Sequence, residues 1–243
     1  MSSFFHLTLR TLDVAEARAF YARVLGARDL DVVRLHAQAI ARGAQPHWLG
    51  FVDVADVDTA LAQFAARGAA PLGPKWVNPE GLEAAPVRDP GGAVVALARP
   101  APAGATSTST STSTSTCTST STRAAWHVLH TADVVRAKEN YAALCCWHFH
   151  PPVELAGLGT LHPFSYAPNA PVVGAMRDLA GTTGIHPHWL FHFEVDALDR
   201  AVDEARAAGG SVIGPLTIPG SARVAVCDDP QGAAFALCER RTD

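Results

Sequence analysis

The stretch Pro46-His47-Trp48-Leu49 recurs later in the chain as Pro187-His188-Trp189-Leu190. Further residues recur in the same order on either side of it: Asp13, Tyr21 and Asp89-Pro90 return as Asp133, Tyr141 and Asp229-Pro230. Matches that keep their order over most of the chain indicate an internal repeat. The sequence therefore predicts two halves with the same fold.

A segment of alternating Ser and Thr separates the two halves. From Thr106 to Thr122 the alternation is broken only by Cys117. The segment has no charged, aromatic or large aliphatic residue, so it cannot contribute to a hydrophobic core. We therefore expect one domain over residues 1–100, a disordered linker over residues 101–123 and a second domain over residues 124–241.

Each half is predicted to contain two similar units, and each unit consists of a strand, a helix and further strands. In the first half, Asp13 and Glu16 form a capping box ahead of an amphipathic helix that ends at Gly26. Residues 28–42 predict a pair of strands. The second half is longer between its Tyr141 and its Trp189, so the first unit of the first half is predicted to be shortened. The predicted fold class is α+β.

The composition excludes several functions. Hydrophobic residues make up 48% and charged residues 17% of the chain, which is not the composition of a disordered protein. A net charge of -4 offers no electrostatic footprint for nucleic acid or an anionic membrane. The long uncharged stretch from Leu155 to Met176 contains three prolines, which argues against a membrane-spanning helix. Without a basic start or paired cysteines, a cytoplasmic protein is the expectation.

The repeated units resemble the vicinal oxygen chelate superfamily, which includes glyoxalase I, bleomycin-resistance proteins and extradiol dioxygenases. The residues that carry the resemblance are Phe20-Tyr21 late in the first helix, Asp89-Pro90-Gly91-Gly92 before the last strand, and their second-half counterparts Tyr141 and Asp229-Pro230-Gln231-Gly232. The resemblance covers nearly all of the chain outside the linker. It implies tandem glyoxalase-like domains, each built from two βαβββ-type units that form a cupped mixed sheet.

In the metal-binding members of this superfamily, the first and last strands of each unit carry metal ligands that face into the cup. Here the corresponding positions hold His6, Leu49, Ala96, Trp126, Leu190 and Ala236. His6 is the one residue of this set whose side chain commonly binds a metal ion. We therefore expect no metal centre of the usual kind and predict no cofactor.

An unusual metal site remains an alternative. By strand alternation His188, His192 and Glu194 share the face of the cup in the second half, and His130 lies on the same face of its first strand. Imidazoles and a carboxylate that converge would suit zinc or iron. In a metal-free enzyme, His130, His192 and Glu194 would instead be the acid and base groups.

The principal prediction is a protein that binds a small, largely apolar molecule in the cup of the second half, without the usual catalytic metal. The predicted lining consists of Trp126, Val128, His130, Met176, Leu190, His192, Ala234 and Ala236. Two alternatives stay open: a metal-dependent lyase, isomerase or dioxygenase of the glyoxalase type, and a site-less domain that serves in oligomerisation. The expected partner is a small-molecule ligand, with no nucleic acid and no membrane, and the resemblance leaves a homodimer open.

Overall fold

The structure is a computed structural model of the chain. It describes residues 2–26, 29–79, 81–100, 124–155, 159–180, 182, 184–217 and 223–239. The predicted linker, residues 101–123 with Cys117, lies outside the described residues. Within the described part, no helix is long and apolar enough to cross a membrane.

The described residues of the first half form one mixed sheet with three helices. Its elements are β1 (Phe4–Thr11), α1 (Val14–Leu25), β2 (Val32–Arg34), α2 (Ala37–Ala41), β3 (His47–Asp53), α3 (Val57–Ala66), β4 (Ala70–Pro71), β5 (Trp76–Val77), β6 (Glu83–Arg88) and β7 (Val94–Arg99). The strand order is β2-β1-β3-β7-β6-β4, and β5 pairs with β6.

The second half forms a larger mixed sheet with two helices. Its elements are β8 (Ala124–Thr131), α4 (Val134–Cys145), β9 (His148–Phe149), β10 (Val153–Leu155), β11 (Gly159–Ser165), β12 (Gly174–Asp178), β13 (His188–Val195), α5 (Leu198–Ala207), β14 (Ser211–Thr217), β15 (Arg223–Asp228) and β16 (Ala234–Glu239). The strand order is β10-β11-β12-β8-β13-β16-β15-β14, and β9 pairs with β11.

The two sheets are built in the same way, and the predicted α+β class is confirmed. In each, the first strands of the two units run antiparallel at the centre, β1 with β3 and β8 with β13. Strand β7 then lies parallel to β3, as β16 does to β13. In the first unit of the first half, β2 takes the position that β12 takes beside β8.

The expectation of two strands over residues 28–42 is wrong. The described part of this segment holds only the short strand β2, followed by helix α2. The Nδ1 atom of His36 accepts a hydrogen bond from the backbone N–H of Gln38 and so caps α2. The prediction failed because it relied on the alternation of residue types, which does not detect a hydrogen bond between a side chain and the nearby backbone.

The predicted N-cap at Asp13 is confirmed, but the capping box with Glu16 is wrong, because the backbone N–H of Asp13 donates to Gln231 Oε1 instead. The Oδ1 atom of Asp13 accepts hydrogen bonds from the backbone N–H groups of Ala15 and Glu16, and Asp133 accepts one from Arg136 in the second half. Such caps satisfy backbone donors that the first turn of a helix leaves unpaired. The two first helices therefore begin at equivalent residues.

The two halves share one hydrophobic core. Helix α1 of the first half contacts α5 of the second, and α3 contacts α4. The rings of Trp48 and Phe193 are 4.9 Å apart between centroids, and those of Tyr21 and Phe235 are 5.2 Å apart. Each sheet thus turns one face towards the helices and the other half. The opposite face of each sheet is its cup face.

Two tyrosines exchange hydrogen bonds between the halves. The hydroxyl of Tyr21 donates to Asp229 Oδ2 at 3.2 Å and accepts from Trp48 Nε1 at 3.0 Å. The hydroxyl of Tyr141 donates to Asp89 Oδ2 at 3.1 Å and accepts from Trp189 Nε1 at 3.4 Å. The repeated Tyr and Asp residues therefore form hydrogen bonds that join one half to the other, and each repeated Trp holds the tyrosine hydroxyl of its own half.

Burial makes this junction sensitive to pH. It raises the pKa of the Asp89 carboxyl to about 6. The folded protein therefore binds this proton more tightly than the unfolded chain, so the free energy of unfolding should fall as the pH rises from about 4 to about 6. In the native protein this decrease should be at most about 3 kcal/mol, and it should be absent in Asp89→Asn. Urea denaturation across this pH range measures the free energy of unfolding of both proteins. If the free energy of unfolding changed equally with pH in the variant and the native protein, Asp89 would not be the source of this pH dependence.

The end of helix α4 carries backbone strain that the first half avoids. Helix α1 ends at Gly26 with φ 66°, whereas α4 ends at Cys146 with φ 58°. A side chain in this left-handed region costs about 1–2 kcal/mol, and glycine avoids that cost. We expect Cys146→Gly to raise the melting temperature and Gly26→Ala to lower it, both measured by calorimetry. A lower melting temperature for Cys146→Gly would contradict the claim that the left-handed backbone at residue 146 destabilises the folded protein.

Candidate functional site

The cup face of the second half carries a compact apolar cluster, which we call the second cup. Val128, Leu190, Val224, Ala236 and Cys238 are buried in it, and Trp126, Val226 and Ala234 pack against it. The sheet register assembles these residues, because Val128 lies opposite Leu190 and Ala236 lies opposite Val226. Ala234 and Ala236 have small side chains, which extend only a short distance from the sheet into the second cup.

The structure places the predicted lining residues on this face, with the exception of Met176. His130 and His192 follow the same alternation as Val128 and Leu190, and His192 lies opposite Trp126. Met176 lies opposite Leu129 and is buried with it in the core under the helices. The prediction for Met176 is wrong because the register of β12 on β8 decides which of its side chains face the cup.

Ala175 and Arg177 are the cup-face residues of β12, and sequence analysis missed the charged one, Arg177. It lies opposite His130 in the parallel pair of β12 and β8. Its positive charge is one of the factors that lower the pKa of His130, so the two side chains are close. Only the long-range strand register identifies this residue, and no local pattern in the sequence signals it.

His130 and His192 are neutral, buried imidazoles in the second cup. Their exposed fractions are 9% and 6%, and burial is the main cause that lowers the pKa of each to about 3. Within the part of the chain that the structure describes, His130 Nδ1 and His192 Nε2 have no hydrogen-bond partner. A neutral imidazole offers one donor and one acceptor. Each ring therefore keeps a hydrogen-bonding atom that the described residues leave unused.

The four residues of the alternative metal site are not brought together. His188 and Glu194 stand about 20 Å apart along β13 at the usual rise per residue. The ring of His188 stacks on His130 with centroids 4.8 Å apart, and His188 Nδ1 is hydrogen-bonded to the carbonyl of His186. Among the described residues, no group of three or more histidine, cysteine, aspartate or glutamate side chains could hold a metal ion.

The positions at which relatives carry metal ligands do not fit a metal ion either. Leu49 and Ala96 lie in an apolar cluster on the cup face of the first half, and Leu190 and Ala236 lie in the second cup. His6 is the one donor among these positions, and its Nε2 atom is hydrogen-bonded to Asp31 Oδ2 at 2.8 Å. A single imidazole among aliphatic side chains does not supply the donor set that such an ion needs.

Glu194 lies beside Cys238 near the end of β13, whereas His130 lies opposite His188 at the start of that strand. Glu194 lines a cavity of about 390 Å³ where the first residues of β1 meet the first residues of β8, together with Phe4, Phe5, His6, His127 and Tyr166. This cavity lies at the junction of the two halves. Glu194 is therefore not placed to act with His130 as an acid–base pair.

The buried histidines of the second cup give the protein a second pH response. Because the pKa of His192 is about 3 in the folded protein and near 6.5 in an unfolded chain, protons favour unfolding below about pH 6.5. We expect the native protein to lose about 1.4 kcal/mol per pH unit through this residue as the pH falls. His192→Gln should lose less, measured by urea denaturation at about pH 7 and 5. The exposed His148→Gln is the control, and equal losses in both variants would refute the expectation.

Comparisons with known proteins agree with this architecture. The model of the Glyoxalase/Bleomycin resistance protein/Dioxygenase superfamily matches residues 118–237. A Mycobacterium bovis protein named "Putative glyoxylase CFP32" is 28% identical over 251 residues, which cover 94% of this chain and 91% of that protein. Anthracycline biosynthesis protein DauV of a Streptomyces species is 32% identical over 117 residues, 48% of this chain and 41% of that protein.

A solved structure agrees at the level of the fold. The 2,3-dioxygenase LapB from Pseudomonas sp. KL28 superposes with a TM-score of 0.60 at 15% identity, covering 98% of this chain and 91% of that chain. Identity this low shows the fold alone. The family model thus assigns the second half of the chain, residues 118–237, to the glyoxalase/bleomycin resistance protein/dioxygenase superfamily, the vicinal oxygen chelate proteins, and the first half repeats the fold of the second.

Proposed function

We propose that the protein binds a small, largely apolar molecule in the second cup and does so without the usual catalytic metal. The observation that carries the proposal is the pair of buried, neutral imidazoles, His130 and His192, whose nitrogens lack partners among the described residues. A buried polar atom without a hydrogen bond costs about 1–3 kcal/mol. A ligand hydroxyl or carbonyl group in the cup would recover that cost.

The remaining walls favour a flat molecule. Trp126 is partly exposed at the edge of the apolar cluster and offers an aromatic face, and Ala234 and Ala236 are the small side chains of the same cluster. Pockets of this kind combine apolar walls with a few polar groups that orient the ligand. The relative DauV is named for anthracycline biosynthesis, which supports an aromatic molecule with hydroxyl or keto groups as the ligand class.

The proposal predicts a preference that calorimetry with the full chain can measure. We expect 2-naphthol to bind more tightly than naphthalene, since its hydroxyl can pair with an imidazole. His192→Leu should weaken 2-naphthol binding by about tenfold, the value of one buried hydrogen bond. The same variant should leave naphthalene binding nearly unchanged.

A matched pair of variants locates the site. Ala236→Phe fills the second cup and should abolish 2-naphthol binding, whereas Ala96→Phe, at the equivalent position of the first half, should not. Equal effects of the two variants would place the ligand elsewhere. Failure of 2-naphthol and of a broad panel of aromatic compounds to raise the melting temperature would favour the site-less alternative.

Elemental analysis of the purified protein tests the metal-free part of the proposal. We expect no stoichiometric transition metal. A stoichiometric metal that is retained by the native protein and lost from His192→Ala would support the lyase, isomerase or dioxygenase alternative. A metal that both proteins retain would place the ion outside the second cup.

A further inference from the structure

The cavity of about 390 Å³ at the start of β1 and β8, which we call the junction cavity, is built by both halves. Phe4 in its wall is buried in the core that the halves share, and Leu7, Ala124, Tyr166 and Val173 pack against that core. None of the described residues that line it belongs to the apolar clusters on the two cup faces. The junction cavity is therefore separate from those clusters.

Both sheets have an irregularity in strand pairing at this cavity. The pairing of β1 with β3 shifts its register between Phe4 and His6, and the pairing of β13 with β8 shifts between Trp126 and Ala124. A bulge of this kind adds one residue to a strand and turns its side chain out of the normal alternation. The added residues, Phe5 and Ala125, are exposed and both line the cavity.

The charge of the lining favours a cation. Glu194 carries a carboxylate, and the other described residues of the wall are aromatic, aliphatic or imidazole groups, with neither Lys nor Arg among them. A carboxylate accepts charge-assisted hydrogen bonds from an ammonium group, and aromatic faces attract the same charge. An anion would find no fixed positive charge in this part of the described lining.

Glu194 can accept a ligand in addition to the interaction that it already has in the folded chain. A carboxylate has about four lone-pair sites on its two oxygens. Glu83 shows this capacity in the same protein, since it pairs with Lys75 Nζ at 2.6 Å and with Arg99 Nη2 at 2.9 Å. Because Glu194 is exposed, a ligand can reach its carboxylate from the solvent.

Phe5 and Tyr166 supply the aromatic part of the wall. The side chain of Phe5 is 37% exposed. The hydroxyl of Tyr166 accepts a hydrogen bond from the backbone N–H of Phe4 at 3.2 Å, and its ring lies beside that of His127 with centroids 6.3 Å apart. These contacts hold the Tyr166 ring in the wall of the cavity. An aromatic ligand would therefore meet rings contributed by both halves.

We propose that the junction cavity binds an arylalkyl ammonium ion, with the ammonium group on Glu194 and the aromatic ring against Phe5 and Tyr166. Its volume of about 390 Å³ lies near the lower end of the range for ligand pockets, which suits a compact amine. This inference does not depend on the function proposed for the second cup.

The test compares tryptamine with tryptophol, in which a hydroxyl replaces the ammonium group, by calorimetry on the full chain at neutral pH. We expect tryptamine to bind about tenfold more tightly, the combined effect of an exposed ion pair and a cation–π contact. The preference should decrease at high salt, because salt screens exposed charges. Glu194→Gln should remove most of it, and circular dichroism checks that this variant is folded.

Asp53→Asn is the matched control, because Asp53 is the counterpart of Glu194 in the first half but does not line the cavity. It should leave the preference for tryptamine unchanged. Ala125→Trp places a large side chain at an exposed residue of the wall and should abolish tryptamine binding. Equal binding of the two compounds, no binding of tryptamine, equal losses in Glu194→Gln and Asp53→Asn, or unchanged binding by Ala125→Trp would each overturn the proposal.

Discussion

The exchange of hydrogen bonds between Tyr21 and Asp229 and between Tyr141 and Asp89 is the constraint on which the rest of the structure depends. Each carboxylate is buried in a turn, where an unpaired charge would be costly, and each receives its hydroxyl donor from the opposite half. The exchange holds the helix-side faces of the two sheets together. The two cup faces consequently point away from the shared core and are separate from each other.

Local patterns in the sequence predicted those features that local physics decides. The caps at Asp13 and Asp133 involve residues two or three positions away, and strand alternation placed Trp126 and His192 correctly on one face. Met176 was misplaced because its orientation depends on the register between β12 and β8, which are far apart in the chain. The role of the repeated tyrosines was missed for the same reason, since their partners lie in the other half.

The two cups show how one backbone accommodates different chemistry. Equivalent positions hold Thr8 and Val128 on the first strands, and Phe51 and His192 on the neighbouring strands. The apolar floor, with Ala96 in one cup and Ala236 in the other, is retained. The exchanged polar residues surround that floor, so the hydrogen-bonding groups of the two cup faces differ while the packing beneath them stays the same.

The crossed bonds also set the order in which the chain can reach its native state. Tyr21 and Asp229 are 208 residues apart, so Tyr21 is synthesised long before its partner. While the second half is still being synthesised, the helix-side face of the completed first half is exposed to solvent. Long-range contacts of this kind slow folding and expose apolar surface in the meantime. During synthesis the first half must therefore wait for the second, and a message truncated before Asp229 would yield a chain with an open core.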